Sequence, residues 1–499
     1  MAGDAGAGMR AGVGKRAGTG AGTGAGPGAG TRVRAGAGEG ARRRAAARLR
    51  ALVLAGLAAT GIGPAGSAAD TRAGIDAGRP GASAPSRAAP AAPAFAPAPR
   101  LWGDRPSVAQ LQALGRAIFA DRGLSDDGRL ACASCHDPAA AFGPNARTPS
   151  PFFDDDDPRR AGTRAIPSLR YAQFLQPFAR HHVDDEDGHG ADGGPTGGLT
   201  WDGRADSARA QARLPLFAPN EMANADDAGL ARRLAAAPYA ARFRAAFSAP
   251  GRDVFDEPSQ AVDWAAYALE VYEQSPEFAP FDSKYDRVLA GRATLTPAER
   301  RGLALFEDPA RGHCASCHPD RRSPAGAAPL FTDQGLVAIA APRRPTLPPL
   351  REAASPADYP VASTATGTDA DLGLCRCGRP GLPVDPDDCG RFRTPTLRNV
   401  ALRPSFFHNG SITSLRDAVA FYATRDTDPG RWYSRNPDGS VHVYDDLPAA
   451  LRASVDHEIP FAPRPDGRPR LDERDIDDLV AFLRTLTDAD VERLAAAGL

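Results

Sequence analysis

Cys132-Ala133-Ser134-Cys135-His136 returns about 180 residues later as Cys314-Ala315-Ser316-Cys317-His318. Both are C-x-x-C-H, the pattern in which two thiols a helical turn apart add to the vinyl groups of one haem and the adjacent His ligates its iron. Two C-x-x-C pairs can also build a four-cysteine zinc cage. A compact zinc site, however, sets its pairs roughly 15 to 20 residues apart. The wide separation and the His after each pair point to two covalent haems. Cys132, Cys135 and His136 hold the first, and Cys314, Cys317 and His318 hold the second.

The flanks repeat too. Gln110 to Phe119 precedes the first motif and Pro297 to Phe306 the second, each reading as a short amphipathic helix, with Leu111, Leu114 and Ile118 spaced three and four apart in the first. Val262 to Tyr272 and Ile476, Leu479, Val480 and Leu483 carry further helical patterns, whereas alternating strands are scarce. The expected class is mainly α: two cytochrome-c-like haem domains with long loops, at 101–285 and 286–499. The 499 residues suffice for both.

Residues 1–69 read as a low-complexity extension followed by a secretory signal. Arg42, Arg43, Arg44, Arg48 and Arg50 form a basic region, Ala51 to Ala59 is a short apolar run, and Ser67-Ala68-Ala69 offers small residues for cleavage. That run falls short of the ~20 residues that span a bilayer, so export to the periplasm is favoured over an uncleaved membrane anchor. Residues 70–100, rich in Ala and Pro, read as a linker. Residues 1–69 hold ten basic and two acidic residues, so their removal takes the formal net charge from −1 to about −9. An acidic mature chain argues against nucleic acid and mildly favours a basic protein partner.

Leu199-Thr200-Trp201-Asp202-Gly203-Arg204-Ala205 resembles the W-D-G-R-A signature of the bacterial dihaem cytochrome c peroxidase and MauG family. Gln211 follows Trp201 by ten residues and Glu221 by ten more, within Pro219-Asn220-Glu221-Met222, which is similar to the family's N-P-x-E-M segment. Arg393 to Asn399 and Phe406 to Gly410 extend the resemblance over residues 101 to about 486. It implies that Trp201 lies between the haems and carries electrons or holes. It also implies that Gln211 and Glu221 line the distal side of the first haem, with Glu221 as acid and base for peroxide. A carboxylate suits that task, because O–O cleavage needs a proton moved from one oxygen to the other.

Departures from the family pattern are informative. The distal His of classical members falls here on Phe152, and no His occurs between His136 and His181, so the first haem is expected to be open. His181, His182 and His189 lie in an acidic, Gly-rich insertion and read as a solvated loop. The resemblance also implies a calcium ion between the haems, one ligand being the Asn of an Asn-x-Pro stretch. Ala165 stands at that position in Arg164-Ala165-Ile166-Pro167, which removes that ligand. Cys375, Cys377 and Cys389 remain, and one of the first two can bridge to Cys389. His408 reads as a structural donor near the second haem.

Ser414 with Asp417 marks a helix start, and Leu415, Val419 and Tyr422 share one face, so Tyr422 points inward. The resemblance places the second haem's distal ligand twelve residues after Gly410, at Tyr422. Peroxidases of the family have Met there and MauG has Tyr. A phenolate favours ferric and more oxidised iron, unlike a thioether.

Three functions are compatible with these residues. One is a periplasmic peroxidase that reduces hydrogen peroxide with electrons from a small c-type cytochrome or cupredoxin. Another is a MauG-like enzyme that oxidises side chains of a protein substrate. The third is an electron-transfer cytochrome without catalysis, against which Glu221, Gln211 and the open first haem argue.

Overall fold

The computed structural model describes residues 106–145, 148, 150, 162–181, 194–344 and 371–496. The leader at 1–69, the linker at 70–100, Phe152, His182 and His189 lie outside them. All described residues fall within one compact unit, Phe95–Leu499. Among them no helix is long and apolar enough to cross a membrane.

Helices dominate, and the sheet among the described residues is one antiparallel pair, Leu336–Val337 against Phe392–Arg393. Each attachment motif is introduced by a capped helix. Val108–Phe119 starts at a Ser107/Gln110 capping box and Pro297–Glu307 at a Thr296/Glu299 box. Such reciprocal caps satisfy backbone donors that a helix start leaves open.

Each of these helices crosses a later one at a glycine. Val108–Phe119 packs on Pro258–Glu273, and Pro297–Glu307 packs on Glu473–Arg484. A Cβ on Gly115 would stand 2.0 Å from the Ala268 carbonyl oxygen, and one on Gly302 would stand 2.0 Å from that of Asp478. No side chain fits either crossing, so the backbones meet directly. The same crossing is thus built twice.

Around each crossing sits a separate apolar core. The first runs from Leu111 to Phe278 and is rich in aromatic pairs, among them Phe142 stacked on Phe278 at 3.9 Å. The second runs from Tyr285 to Leu486 and gathers Phe306, Phe331, Phe421 and Phe482. Polar groups tie the two together. Asp488 accepts from Arg170 at 2.8 Å, Tyr171 at 2.7 Å and Asn399 at 2.7 Å, all buried. Removing one member of such a group would strand a buried charge, at a cost of roughly 3–5 kcal/mol.

Candidate active site

The two C-x-x-C-H histidines are oriented by one device used twice. His136 Nδ1 lies 3.0 Å from the Phe142 carbonyl oxygen, and His318 Nδ1 lies 2.8 Å from that of Phe331. Both phenylalanines are buried with φ near +54°. This left-handed backbone costs a bulky residue of the order of 1 kcal/mol or more, and here it turns the carbonyl toward the ring. With Nδ1–H donating, Nε2 keeps its lone pair for a metal. Burial pushes both imidazoles down to about 4, so they stay neutral and able to ligate.

Trp201 is held in a tight loop. Leu199 bridges Ala205, and Gly203 takes φ +69° between them. Asp202, fully buried, accepts from Thr200 at 2.6 Å and pairs with Arg164 at 2.7 Å and with Arg204. The two guanidinium groups hold its carboxyl well below the usual range despite burial. Trp201 itself is buried, and its Nε1 donates to the Ala165 carbonyl over 2.7 Å.

A cavity of about 270 Å³ opens beside the first motif and brings Cys132, Cys135 and His136 together with Trp201, Gln211 and Glu221. Gln211 projects from the helix Ala208–Phe217. Glu221 follows that helix in a turn pinned on one side by buried Met222 and on the other by Asn224, whose amide bonds the Leu124 and Leu216 carbonyls at 2.8 Å each. The cavity also holds Glu273, at the end of Pro258–Glu273. Burial pushes its carboxyl up to about 8, with Glu270 adding to the shift, so it carries a proton at neutral pH.

The lining fits a haem in two further ways. Arg393 and Arg403 both face the cavity and pair with no carboxylate among the described residues. Arg393 Nε reaches the Thr200 carbonyl at 3.2 Å, and Arg403 reaches those of Ser405 at 3.2 Å and Ile166 at 3.4 Å. Burial without a counter-ion pushes both guanidinium groups down to about 10. Buried cations call for anions, and a haem brings two carboxylates. Burial likewise pushes the Cys132, Cys135 and Cys314 thiols up to about 12, keeping them protonated until they are consumed by attachment.

At the second motif, Tyr422 lies on the helix Leu415–Thr424, which starts at Ser414 capping Asp417. Its ring stacks on Phe461 at 5.2 Å. Burial first, then the neighbouring Cys317 and Cys314 thiols, raises its phenol pKa. Proximity to those thiols places the phenol beside the attachment motif.

Comparison with known proteins supplies the family. The family model for di-haem cytochrome c peroxidase matches residues 109–294. Methylamine utilization protein MauG of Paracoccus denitrificans is 37% identical over 394 residues, covering 78% of this chain and 92% of the relative. The chain belongs to the di-haem cytochrome c peroxidase and MauG family. It is thus an oxidoreductase of a family whose members carry two haems. A cytochrome-c peroxidase of Denitromonas iodatirespirans is 30% identical, over 67% of this chain and 78% of its own. The diheme peroxidase BthA of Burkholderia thailandensis superposes with a TM-score of 0.63 at 38% identity, covering 77% of this chain and 90% of that one.

Within this family framework, Trp201, Gln211 and Glu221 share the cavity with the first motif, and Tyr422 stands apart by the second. His181 is exposed. His408 is buried, stacks on Phe392 at 3.6 Å and faces Asp446 at 3.3 Å. Cys375 bridges Cys389, and Cys377 is buried nearby. Sequence reasoning missed Glu273, Arg393 and Arg403 as site residues. Glu273 did leave a signal, being a carboxyl four residues after Leu269 on an apolar helix face. Arg403 left none.

Proposed function

We propose that the protein is an exported dihaem c-type peroxidase that reduces hydrogen peroxide to two waters, taking two electrons from a small redox protein and two protons from solvent. The observation that carries the reading is the convergence of Trp201, Gln211 and Glu221 on the cavity beside Cys132, Cys135 and His136. In this reading residues 101–285 would hold one haem and 286–499 the other, with His136 and His318 each supplying a nitrogen ligand to one iron and Tyr422 an oxygen ligand to the second. Bound haem supplies an iron at which peroxide is polarised and oxidising equivalents are held.

Glu221 takes the proton from the inner peroxide oxygen and returns it to the outer one as the bond breaks. The Gln211 amide orients the peroxide. Glu273, protonated at neutral pH, keeps a second exchangeable proton within the cavity. Trp201, buried and adjacent to the cavity, is the conduit to the second half of the chain. Steady-state peroxide consumption with a panel of reduced cytochromes and cupredoxins tests the reading. Rapid turnover with one of them supports it, and none with any donor overturns it.

A second reading is favoured by Tyr422 beside Cys314 and Cys317. A hard oxygen ligand suits an iron that stays oxidised, as a MauG-like enzyme acting on a partner protein's side chains requires. Peroxide-dependent modification of a co-expressed partner, seen by mass spectrometry, would distinguish it.

A further inference from the structure

The family resemblance implies a calcium ion between the haems, with Ala165 at the position of one side-chain ligand. The residues around Ala165 do not fit a calcium ion. Its methyl group is buried against Trp201 and Phe392. Its carbonyl oxygen already accepts from Trp201 Nε1 at 2.7 Å, and its N–H donates to the His408 carbonyl at 2.6 Å. The next carbonyl, of Ile166, accepts from Arg403. Calcium takes six to eight oxygen donors, and here the position offers no side-chain oxygen while the two nearest backbone oxygens each already accept a hydrogen bond.

Charge points the same way. The carboxylates nearest this spot, Asp202 and Asp371, are both engaged by Arg164, at 2.7 Å and 2.6 Å, and Asp202 by Arg204 as well. With Arg393 and Arg403 added, four guanidinium groups stand against three carboxylates among the described residues, the third being Asp446, which shares a small cavity with Asp371 and faces His408 at 3.3 Å. The carboxylates that could bind a divalent cation there are already paired with guanidinium groups or with His408, which lowers their attraction for it. Arg403 meanwhile lies 5.8 Å from the Trp201 ring and faces the haem cavity.

We infer that Arg403 supplies, as part of the chain, the positive charge that the family resemblance would assign to calcium between the haems, and that the protein works without calcium. This rests on the two-haem reading above. A tethered guanidinium has the advantage of permanence: it cannot be lost to a chelator, and its planar fork can bond the Ser405 and Ile166 carbonyls while keeping donors for a haem carboxylate. Arg403 is a positioning residue in this account, fixing the 165–166 segment against Trp201.

The test uses the mature holoprotein. Elemental analysis after gel filtration in metal-free buffer is expected to find less than about 0.1 calcium per chain, and EGTA is expected to leave haem absorption, EPR spectra and Tm unchanged. Near-stoichiometric calcium whose removal alters those spectra would overturn the inference, while leaving peroxide turnover, and so the proposed function, untouched. Arg403→Gln and Arg403→Lys give the second arm. Loss of the charge in Arg403→Gln lowers the haem midpoint potentials, because ferric iron no longer faces a neighbouring cation, and Arg403→Lys keeps them near wild type. Equal potentials in wild type and Arg403→Gln would remove Arg403 from this role, and if neither variant folds the calcium analysis of the wild type still decides.

Discussion

The indole Nε1 of Trp201 donates to the carbonyl oxygen of Ala165 over 2.7 Å, inside a buried cluster completed by Phe392. A carbonyl accepts a hydrogen bond but is too weak a base to take the proton. An indole oxidised here therefore keeps its N–H, and returns to the resting state by gaining one electron without waiting for a proton. Trp201→Phe keeps the ring's bulk and loses this easily oxidised group. It is expected to retain both haems and their resting spectra while slowing peroxide-driven oxidation of the donor at least about tenfold. Stopped-flow absorption checks this, and unchanged kinetics would take Trp201 off the electron path.

Glu221→Gln tests the acid and base. The amide is nearly isosteric, so the turn pinned by Met222 and Asn224 should persist. Peroxide turnover is expected to fall at least about a hundredfold, the lower range for a lost acid–base group, with haem content intact. Wild-type turnover in the variant would remove Glu221 from the chemistry.

Much of this was legible before the structure. The helices flanking each motif followed from apolar spacing, and the crossing glycines, Gly115 and Gly302, stood in matching places of the repeated flanks. Trp201, Gln211 and Glu221 were picked out by their resemblance to short family motifs, which lie close together in sequence, and the fold brings them to one cavity. Arg403 was not, since no motif or spacing in Leu402-Arg403-Pro404 marks it and only tertiary packing brings its guanidinium to the cavity. The partner of Cys389 was equally undecidable, because Cys375 and Cys377 are two residues apart and the fold alone orients one of them.

Glu273 makes stability depend on pH in a direction opposite to a salt-bridged carboxylate. Its ordinary value is 4.5 and burial raises it to about 8 in the folded chain. Between those values the folded state holds a proton that the unfolded state has released, so stability falls as pH rises through this window. Glu273→Gln removes the dependence. Its Tm is expected to match wild type near pH 4.5 and to exceed it by at least about 2 °C at pH 8.5, a shift corresponding to roughly 1 kcal/mol or less. Parallel Tm curves across that range would show that Glu273 does not titrate there.

Tyr422 decides between the two functional readings. Its phenol stands beside Cys317 and Cys314, and burial raises its pKa, so without a metal it would stay neutral. Only a strong local positive charge can lower that pKa enough for the anion to form, and ferric iron on His318 is such a charge. The ring's stack on Phe461 at 5.2 Å restricts how far it can turn away. Tyr422→Phe preserves this stack and removes only the oxygen. If the phenolate is the distal ligand, the diferric variant shows a changed EPR and charge-transfer spectrum for one haem alone, and the spectrum formed on adding peroxide changes with it. Should both spectra match wild type, the oxygen of Tyr422 is not on iron, and the MauG-like reading loses its physical basis while the peroxidase reading, which rests on Glu221, stands.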